Sequence, residues 1–153
     1  TPLWSAYTES FKKNDFLWIS KMLKKQLLLL VAIAAGALIL ALFTENIVAL
    51  WIDTPLTISI LLIGTMVLLI LITTWNNVFA MFINGTGLIK PQLYTSIAAM
   101  FVNIPLSIFF VKELGMGTGG VVLGTVISLL GAAVVLPIQT FRLLKKSNLH
   151  GQP

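Results

Sequence analysis

The sequence predicts an all-α integral membrane protein with four transmembrane helices. Hydrophobic residues make up 58% of the 153 residues and charged residues only 10%, whereas a soluble domain is about half apolar and about a quarter charged. Mean hydropathy is +0.99. Four long uncharged runs, separated by short segments that hold the charges, are each long enough to cross a bilayer as a helix.

Residues 1–25 are expected to lie at one membrane surface. Tyr7 and its neighbours have the composition of the end of a preceding helix, because aromatic rings favour the headgroup region. Asp15 is a residue type that caps a helix, and the apolar positions after it repeat at helical spacing. We therefore expect a basic amphipathic helix at the interface, which either contacts anionic lipid or phosphate or simply anchors the chain. Its lysines are Lys21, Lys24 and Lys25.

The four predicted spans are followed by a basic tail, residues 142–153. The second span is long, since its uncharged run would extend roughly 45 Å at 1.5 Å per residue, so it either protrudes from the bilayer or bends at the patch 73–77. The segment 84–87 ends it with residues that tolerate a positive φ. Pro105, inside the third span, predicts a kink near Phe101. The spans cover about 26–44, 55–82, 91–111 and 118–140.

The basic residues sort by loop. Alternate loops are rich in lysine and arginine, and the excess of basic residues marks the cytoplasmic side. Both termini and the 85–90 loop are thus expected in the cytoplasm, and the loops 44–54 and 112–118 outside. This topology accounts for the net charge of +5 without nucleic acid as a partner. The predicted cytoplasmic residues are Lys12, Lys13, Lys21, Lys24, Lys25, Lys90, Arg142, Lys145 and Lys146; those outside are Glu45, Asp53, Lys112 and Glu113.

A glycine-rich turn and a stripe of small residues connect the last two spans. Gly115 and Gly117 fall in the predicted turn. The stripe repeats every four residues, which places it on one helix face, and small residues let another helix backbone approach closely in lipid. We expect the partner to be the span 27–43, through Ala35 and Gly36. The stripe consists of Gly120, Gly124, Ser128 and Ala132.

Five motifs occur in order along nearly all of residues 1–146. They are PLWSAYTES, ND-x-x-WISK-x-x-KK, INGTG-x-I-K-x-Q, NIPLSIFF and G-x-G-x-x-GVVLGTVIS. The ordered set resembles the C-terminal part of bacterial polysaccharide biosynthesis membrane proteins. These are the O-antigen and capsule repeat-unit flippases, which move lipid-linked oligosaccharides, of the multidrug/oligosaccharidyl-lipid/polysaccharide exporter superfamily.

The resemblance implies a two-lobed exporter bundle in which these residues supply the last four helices. The N-terminal remainder of the same transporter, expected upstream of Thr1, would supply the rest. The implied substrate is an undecaprenyl-diphosphate-linked oligosaccharide, moved from the cytoplasmic to the outer leaflet of the inner membrane. The implied mechanism is alternating access coupled to an ion gradient, of H⁺ or Na⁺.

The resemblance also implies candidate cation-binding positions between the last two helices. Related flippases place a cation site there, and the matching positions are Asn103, Ser107, Val121 and Thr125. Ser107 stands where an acid is expected, which disfavours a tight sodium site because hard cations prefer anionic oxygen. The alternative is that Asn103 and Ser107 hydrogen-bond a neighbouring helix or compensate for the Pro105 kink.

Three neighbouring residues near the predicted cytoplasmic end of the second span are candidates for substrate binding. An indole face stacks on sugar rings, and amides bond sugar hydroxyls. The alternative is an interfacial tryptophan with asparagines that close the helix. The four spans contain no Lys, Arg, Asp or Glu, so the charged part of a substrate site is expected outside these residues. The three candidates are Trp75, Asn76 and Asn77.

The residue types in the chain argue against an enzyme. General acid–base or metal chemistry needs His, Cys or carboxylates close together, but the chain has no Cys and its single His150 lies in the tail. No cofactor and no metal site are expected. Two other functions stay open: a drug or small-molecule exporter of the same superfamily, and a four-helix membrane scaffold without transport activity.

Overall fold

The computed structural model describes residues 2–50 and 58–150 of the chain. In these residues it contains six helices and no strand, and four of the helices are long and apolar enough to cross a membrane. The fold class predicted from the sequence is therefore confirmed. The helices are α1 (Leu3–Lys12), α2 (Phe16–Leu42), α3 (Thr44–Ala49), α4 (Ile60–Thr86), α5 (Lys90–Lys112) and α6 (Gly117–His150).

Helix α2 begins at the predicted position, but it does not end where the interfacial helix was expected to end. The carboxylate of Asp15 accepts a hydrogen bond from the backbone N–H of Trp18 at 3.0 Å, so the cap is confirmed. The helix then runs unbroken to Leu42, so the expected interfacial helix and the first span are one element. No glycine or proline occurs between Phe16 and Gly36, and the residues at the expected boundary are strong helix formers.

Helix α4 is uninterrupted through the patch 73–77. It ends at Gly87, whose φ of +74° is the left-handed conformation that glycine adopts readily, so the predicted terminus is confirmed. The start of the predicted second span, residues 55–57, lies outside the described residues, as do Trp51 and Asp53 of the preceding loop.

The turn between α5 and α6 contains two glycines with positive φ, Gly115 at +61° and Gly117 at +54°, as predicted. Helix α6 does not end with the predicted span, since it continues through the basic tail to His150. The sequence Arg142–Lys145 and the residues after it include no helix breaker before Gly151, which explains the continuation.

The hydrophobic core lies at one end of the bundle, where α1, the start of α2, the end of α4 and α6 meet. Tyr7 is fully buried there, and its ring lies edge-on to those of Trp18 and Phe82, with centroids 5.7 and 5.6 Å away. Helix α1 is thus docked onto α4, a packing that the sequence analysis did not anticipate. The core consists of Tyr7, Ile19, Leu23, Val78, Phe79, Phe82, Ile83 and Leu136.

One polar contact ties α1 to α2 inside this core. The Tyr7 hydroxyl donates a hydrogen bond to Gln26 Oε1 at 2.7 Å. Burial raises the pKa of Tyr7 well above its ordinary value, so the hydroxyl keeps its proton and remains a donor over the physiological range. This hydrogen bond gives the buried Tyr7 hydroxyl a partner, and its burial without one would cost free energy.

Candidate functional site: the polar contact between α5 and α6

Helix α6 lies between α4 and α5, and small residues permit both contacts. A Cβ at Gly119 would lie 2.9 Å from Leu61 Cγ of α4, and a Cβ at Gly124 would lie 2.6 Å from Ser107 Oγ of α5. Distances of this size leave no room for a methyl group. A side chain larger than hydrogen at Gly119 or Gly124 would therefore force the neighbouring helix to shift.

The predicted partner of the small-residue stripe is wrong. Gly120 and Gly124 of the stripe meet α5, whereas the expected partner segment 27–43 belongs to α2, which packs mainly on α4. Among the described residues, no atom of a neighbouring element lies within 4 Å of the position that a Cβ would take at Gly36. The short turn at Gly115 and Gly117 brings α5 back against α6, so the helix adjacent in sequence occupies the close-packing face.

The stripe also serves more than one contact. Gly120 lies against Phe110 of α5, where a Cβ would be 3.0 Å from Phe110 Cβ. Ser128 is buried and donates to the Gly124 carbonyl at 2.7 Å within α6. Ala132 packs against the aromatic core at the end of the bundle. The stripe therefore changes partner along its length.

The four candidate cation positions come together in the structure. Asn103 Nδ2 donates to Thr125 Oγ1 at 2.9 Å, and Thr125 Oγ1 in turn donates to the Val121 carbonyl at 3.2 Å. Ser107 Oγ donates to the same carbonyl at 3.4 Å. The group is thus an interhelical hydrogen-bond network, which is the alternative that the sequence analysis gave for Asn103 and Ser107.

All oxygens of this network are neutral. Among the side chains described in residues 2–50 and 58–145, no cluster of three or more His, Cys, Asp or Glu is arranged to hold a metal ion. Neutral amide, hydroxyl and carbonyl oxygens suit hydrogen-bonding groups better than a tightly bound hard cation. The network is therefore chemically suited to bind hydroxyl or amide groups.

A cleft of about 300 Å³ opens beside the Asn103–Thr125 contact. Asn103 lies near the middle of α5, so the cleft is within the apolar part of the bundle. Its wall combines polar and apolar side chains from both helices. The lining residues are Ser96, Ala99, Met100, Asn103, Ile104, Thr125, Ser128 and Leu129.

Trp75 contacts a backbone carbonyl that a proline leaves free. Pro137 has no N–H, so the carbonyl of Ala133, four residues earlier in α6, loses its helical partner. The Trp75 indole N–H donates to this carbonyl at 2.9 Å. The indole thereby satisfies a backbone group that an apolar membrane interior would leave unpaired.

The three substrate-binding candidates do not share one face. Asn76 is buried and its Nδ2 donates to the Leu129 carbonyl of α6 at 3.3 Å, beside the Trp75 contact. Asn77 is exposed on another side of α4. Trp75 and Asn76 hold α4 to α6, so of the three only Asn77 faces away from the bundle. Asn76 Oδ1 is buried and has no partner in the described part of the chain.

Sequence reasoning missed the pairing of Trp75 with Pro137, although a signal was present. A proline inside a span always leaves the carbonyl four residues earlier in need of a donor. A second missed contact fixes the α4–α5 turn, where Gln139 Nε2 donates to the Leu88 carbonyl at 2.8 Å. No local pattern in the sequence identifies this contact.

Trp75→Phe is expected to destabilise the bundle by about 1–3 kcal/mol, because the Ala133 carbonyl would be left buried without a donor. Pro137→Ala returns an N–H to α6 and thus a partner to that carbonyl. The cost of Trp75→Phe should therefore fall by at least half in the Pro137→Ala background. Thermal unfolding of the two single variants and the double variant in detergent measures this coupling. Strictly additive effects would show that the indole does not replace the missing N–H.

Comparisons with protein-family models, with curated proteins and with solved structures find no match to this chain.

Proposed function

We propose that this chain is part of a transporter that flips undecaprenyl-diphosphate-linked oligosaccharide repeat units across the bacterial inner membrane by ion-coupled alternating access. The observation that carries the proposal is the polar contact between α5 and α6. Asn103 and Thr125 meet there in the apolar interior, beside a cleft of about 300 Å³. The same polar side chains line the cleft, so a polar headgroup that passes through it would meet hydrogen-bonding groups. The substrate class comes from the resemblance of the five ordered sequence motifs to those of the repeat-unit flippases.

The packing of α5 supports a moving part at this cleft. Helix α5 contains no fully buried residue, and α6 is its main partner in the described part of the chain. By contrast, α4 is held to α6 by Trp75 and Asn76 and to α1 by the aromatic core. In the proposed mechanism, α5 tilts away from α6 to open the cleft, while the α1–α2–α4–α6 unit stays together.

The charge distribution supports the proposed localisation. The basic residues at the α1–α2 end, the α4–α5 turn and the end of α6 favour the cytoplasmic side. The α5–α6 turn, with Lys112 and Glu113, would then face outward. The proposal places this multi-pass protein in the inner membrane with both ends in the cytoplasm.

Export of surface polysaccharide by the complete transporter tests this function. Deletion of the gene should remove the surface polysaccharide and leave its lipid-linked repeat units in the cytoplasmic leaflet. Asn103→Leu should lower export severalfold, because it removes the polar group from the cleft. Ile108→Leu, at an exposed apolar position on the same helix, is the matched control and should leave export unchanged. Unaltered polysaccharide in the deletion strain would refute the proposal.

A second candidate function is a membrane scaffold without transport activity. The aromatic core favours it, because α1, α2, α4 and α6 build that core without any other chain. A scaffold predicts that surface polysaccharide stays intact in both Asn103→Leu and Ile108→Leu. An exporter of drugs or other small molecules predicts intact surface polysaccharide and increased drug sensitivity in the deletion strain.

A further inference from the structure

The first turns of α2 present two different faces. Ile19 and Leu23 are buried in the aromatic core. Three lysines on the opposite face are exposed, and their spacing of three and four residues places them side by side on one surface. This surface, here called the lysine face, consists of Lys21, Lys24 and Lys25.

No acidic side chain in the described part of the chain forms an ion pair with the lysine face. In the part of the chain that the structure describes, the one ion pair joins Lys13 to Glu9 at 2.6 Å, on α1. The nearest acid in sequence, Asp15, caps α2 by accepting from the Trp18 N–H. Three neighbouring ammonium groups repel one another unless an anion lies between them. The surface is therefore suited to bind a negatively charged partner.

The lysine face continues directly into the lipid-facing surface of the span. Helix α2 is unbroken, and Leu28, which is 72% exposed, lies four residues after Lys24 on the same face. Four residues correspond to about 6 Å along a helix. Leu28 belongs to the apolar run that spans the hydrocarbon, so the ammonium groups lie at the depth of lipid headgroups. Lys21, one turn further out, reaches the aqueous edge of the same layer.

We propose that Lys21, Lys24 and Lys25 bind the phosphate of an anionic phospholipid headgroup in the leaflet at this end of the bundle. The positive charge complements the anionic headgroup, and the adjoining lipid-facing leucines accept its acyl chains. The bound lipid holds the outer face of α2, while the aromatic core holds its inner face. This surface is separate from the α5–α6 cleft, and it binds a resident membrane lipid and not the transported molecule.

Binding of phosphatidylglycerol by the purified complete protein tests the proposal. Titration of fluorescent phosphatidylglycerol into phosphatidylcholine vesicles that contain the protein gives the affinity. Each Lys→Gln change should weaken binding by about fivefold. The variant with all three changes, here called the lysine-face variant, should show the largest loss, and added salt should weaken binding further. Lys21→Arg, Lys24→Arg and Lys25→Arg together should retain binding, because the charges remain. Glutamine and lysine have similar helix propensities, so α2 is expected to stay intact.

The matched control removes the same number of charges at the same end of the bundle but from other helices. Lys90→Gln, Arg142→Gln and Lys145→Gln together change exposed residues of α5 and α6. The loss of phosphatidylglycerol affinity in this variant should be less than a third of the loss in the lysine-face variant. Equal losses in the two variants, or no loss in the lysine-face variant, would overturn the proposal.

Discussion

Gly124→Leu is expected to separate α5 from α6 and to abolish the export that we propose for this protein. The new Cβ would lie 2.6 Å from Ser107 Oγ and 3.0 Å from the Ser107 backbone nitrogen. The hydroxyl can rotate away, but the backbone atom cannot move without a shift of α5. Overpacking of this kind costs about 1–3 kcal/mol for a few added methylenes, and a branched side chain against backbone should reach the upper end. Thermal unfolding in detergent and export in cells measure the two effects.

Gly131→Leu on the same helix is the matched control. In the part of the chain that the structure describes, no atom of a neighbouring element lies within 4 Å of the position that its Cβ would take, so the leucine has space there. This variant should export normally and unfold within a few degrees of the wild-type protein. A smaller change at the contact, Gly124→Ala, should be partly relieved by Ser107→Ala, because the nearest atom is the serine hydroxyl. Similar behaviour of Gly124→Leu and Gly131→Leu would contradict the close approach of α5 and α6.

Gly85→Leu is expected to displace α1 from the end of α4. Its Cβ would lie 2.7 Å from Tyr7 Cβ and 2.9 Å from the Trp4 carbonyl oxygen, so both a side chain and the backbone of α1 block the new group. Displacement of α1 would open the aromatic core around Tyr7 and break the Tyr7–Gln26 hydrogen bond. We expect a loss of about 3 kcal/mol or more.

Hydrogen exchange of the α1 amides measures this displacement directly, because a docked helix is protected and a released one is not. Gly64→Leu is the control on the same helix, since no neighbouring element in residues 2–50 and 58–150 lies within 4 Å of its Cβ position. Protection of α1 should vanish in Gly85→Leu and persist in Gly64→Leu. Persistent protection in both variants would show that α1 does not pack on α4 at Gly85.

The spans could be predicted because a helix that crosses the hydrocarbon core must have a minimum length and carry few charges. Both properties can be read directly from a sequence. The helix start at Asp15 and the end at Gly87 were also predictable, since each depends on the chemistry of one residue and its immediate neighbours. The close approach at Gly124 was predictable from the spacing of small residues. Its partner was not, because that spacing carries no information about which helix fills the groove.

The aromatic core and the Trp75 contact show why the remaining packing was not predictable. In a membrane helix, positions that face lipid and positions that face protein are both apolar, so the periodicity that marks a core in water is weak. Tyr7 and Phe82 therefore had no pattern to distinguish them from exposed aromatic residues. Of the predicted polar sites, the α5–α6 positions came together, since both elements were placed correctly on either side of one short turn.

The contacts between helices thus differ at the two ends of the bundle. At the α1 end, an aromatic core and an indole-to-carbonyl bond fix α4 to its neighbours. At the α3 end, α2 and α4 leave an apolar gap of about 260 Å³ between them. The tightly packed end coincides with the excess of basic residues, which the proposed topology places in the cytoplasm.

Labelling of single introduced cysteines tests the membrane-spanning arrangement most directly, because the chain contains no native cysteine. Leu88→Cys lies in the α4–α5 turn and Glu113→Cys lies just after α5, so one apolar helix separates the two sites. In intact cells, a membrane-impermeant thiol reagent should label the complete protein at position 113 and reach position 88 only after the inner membrane is permeabilised. Labelling of both positions in intact cells, or of position 88 alone, would contradict the proposed topology.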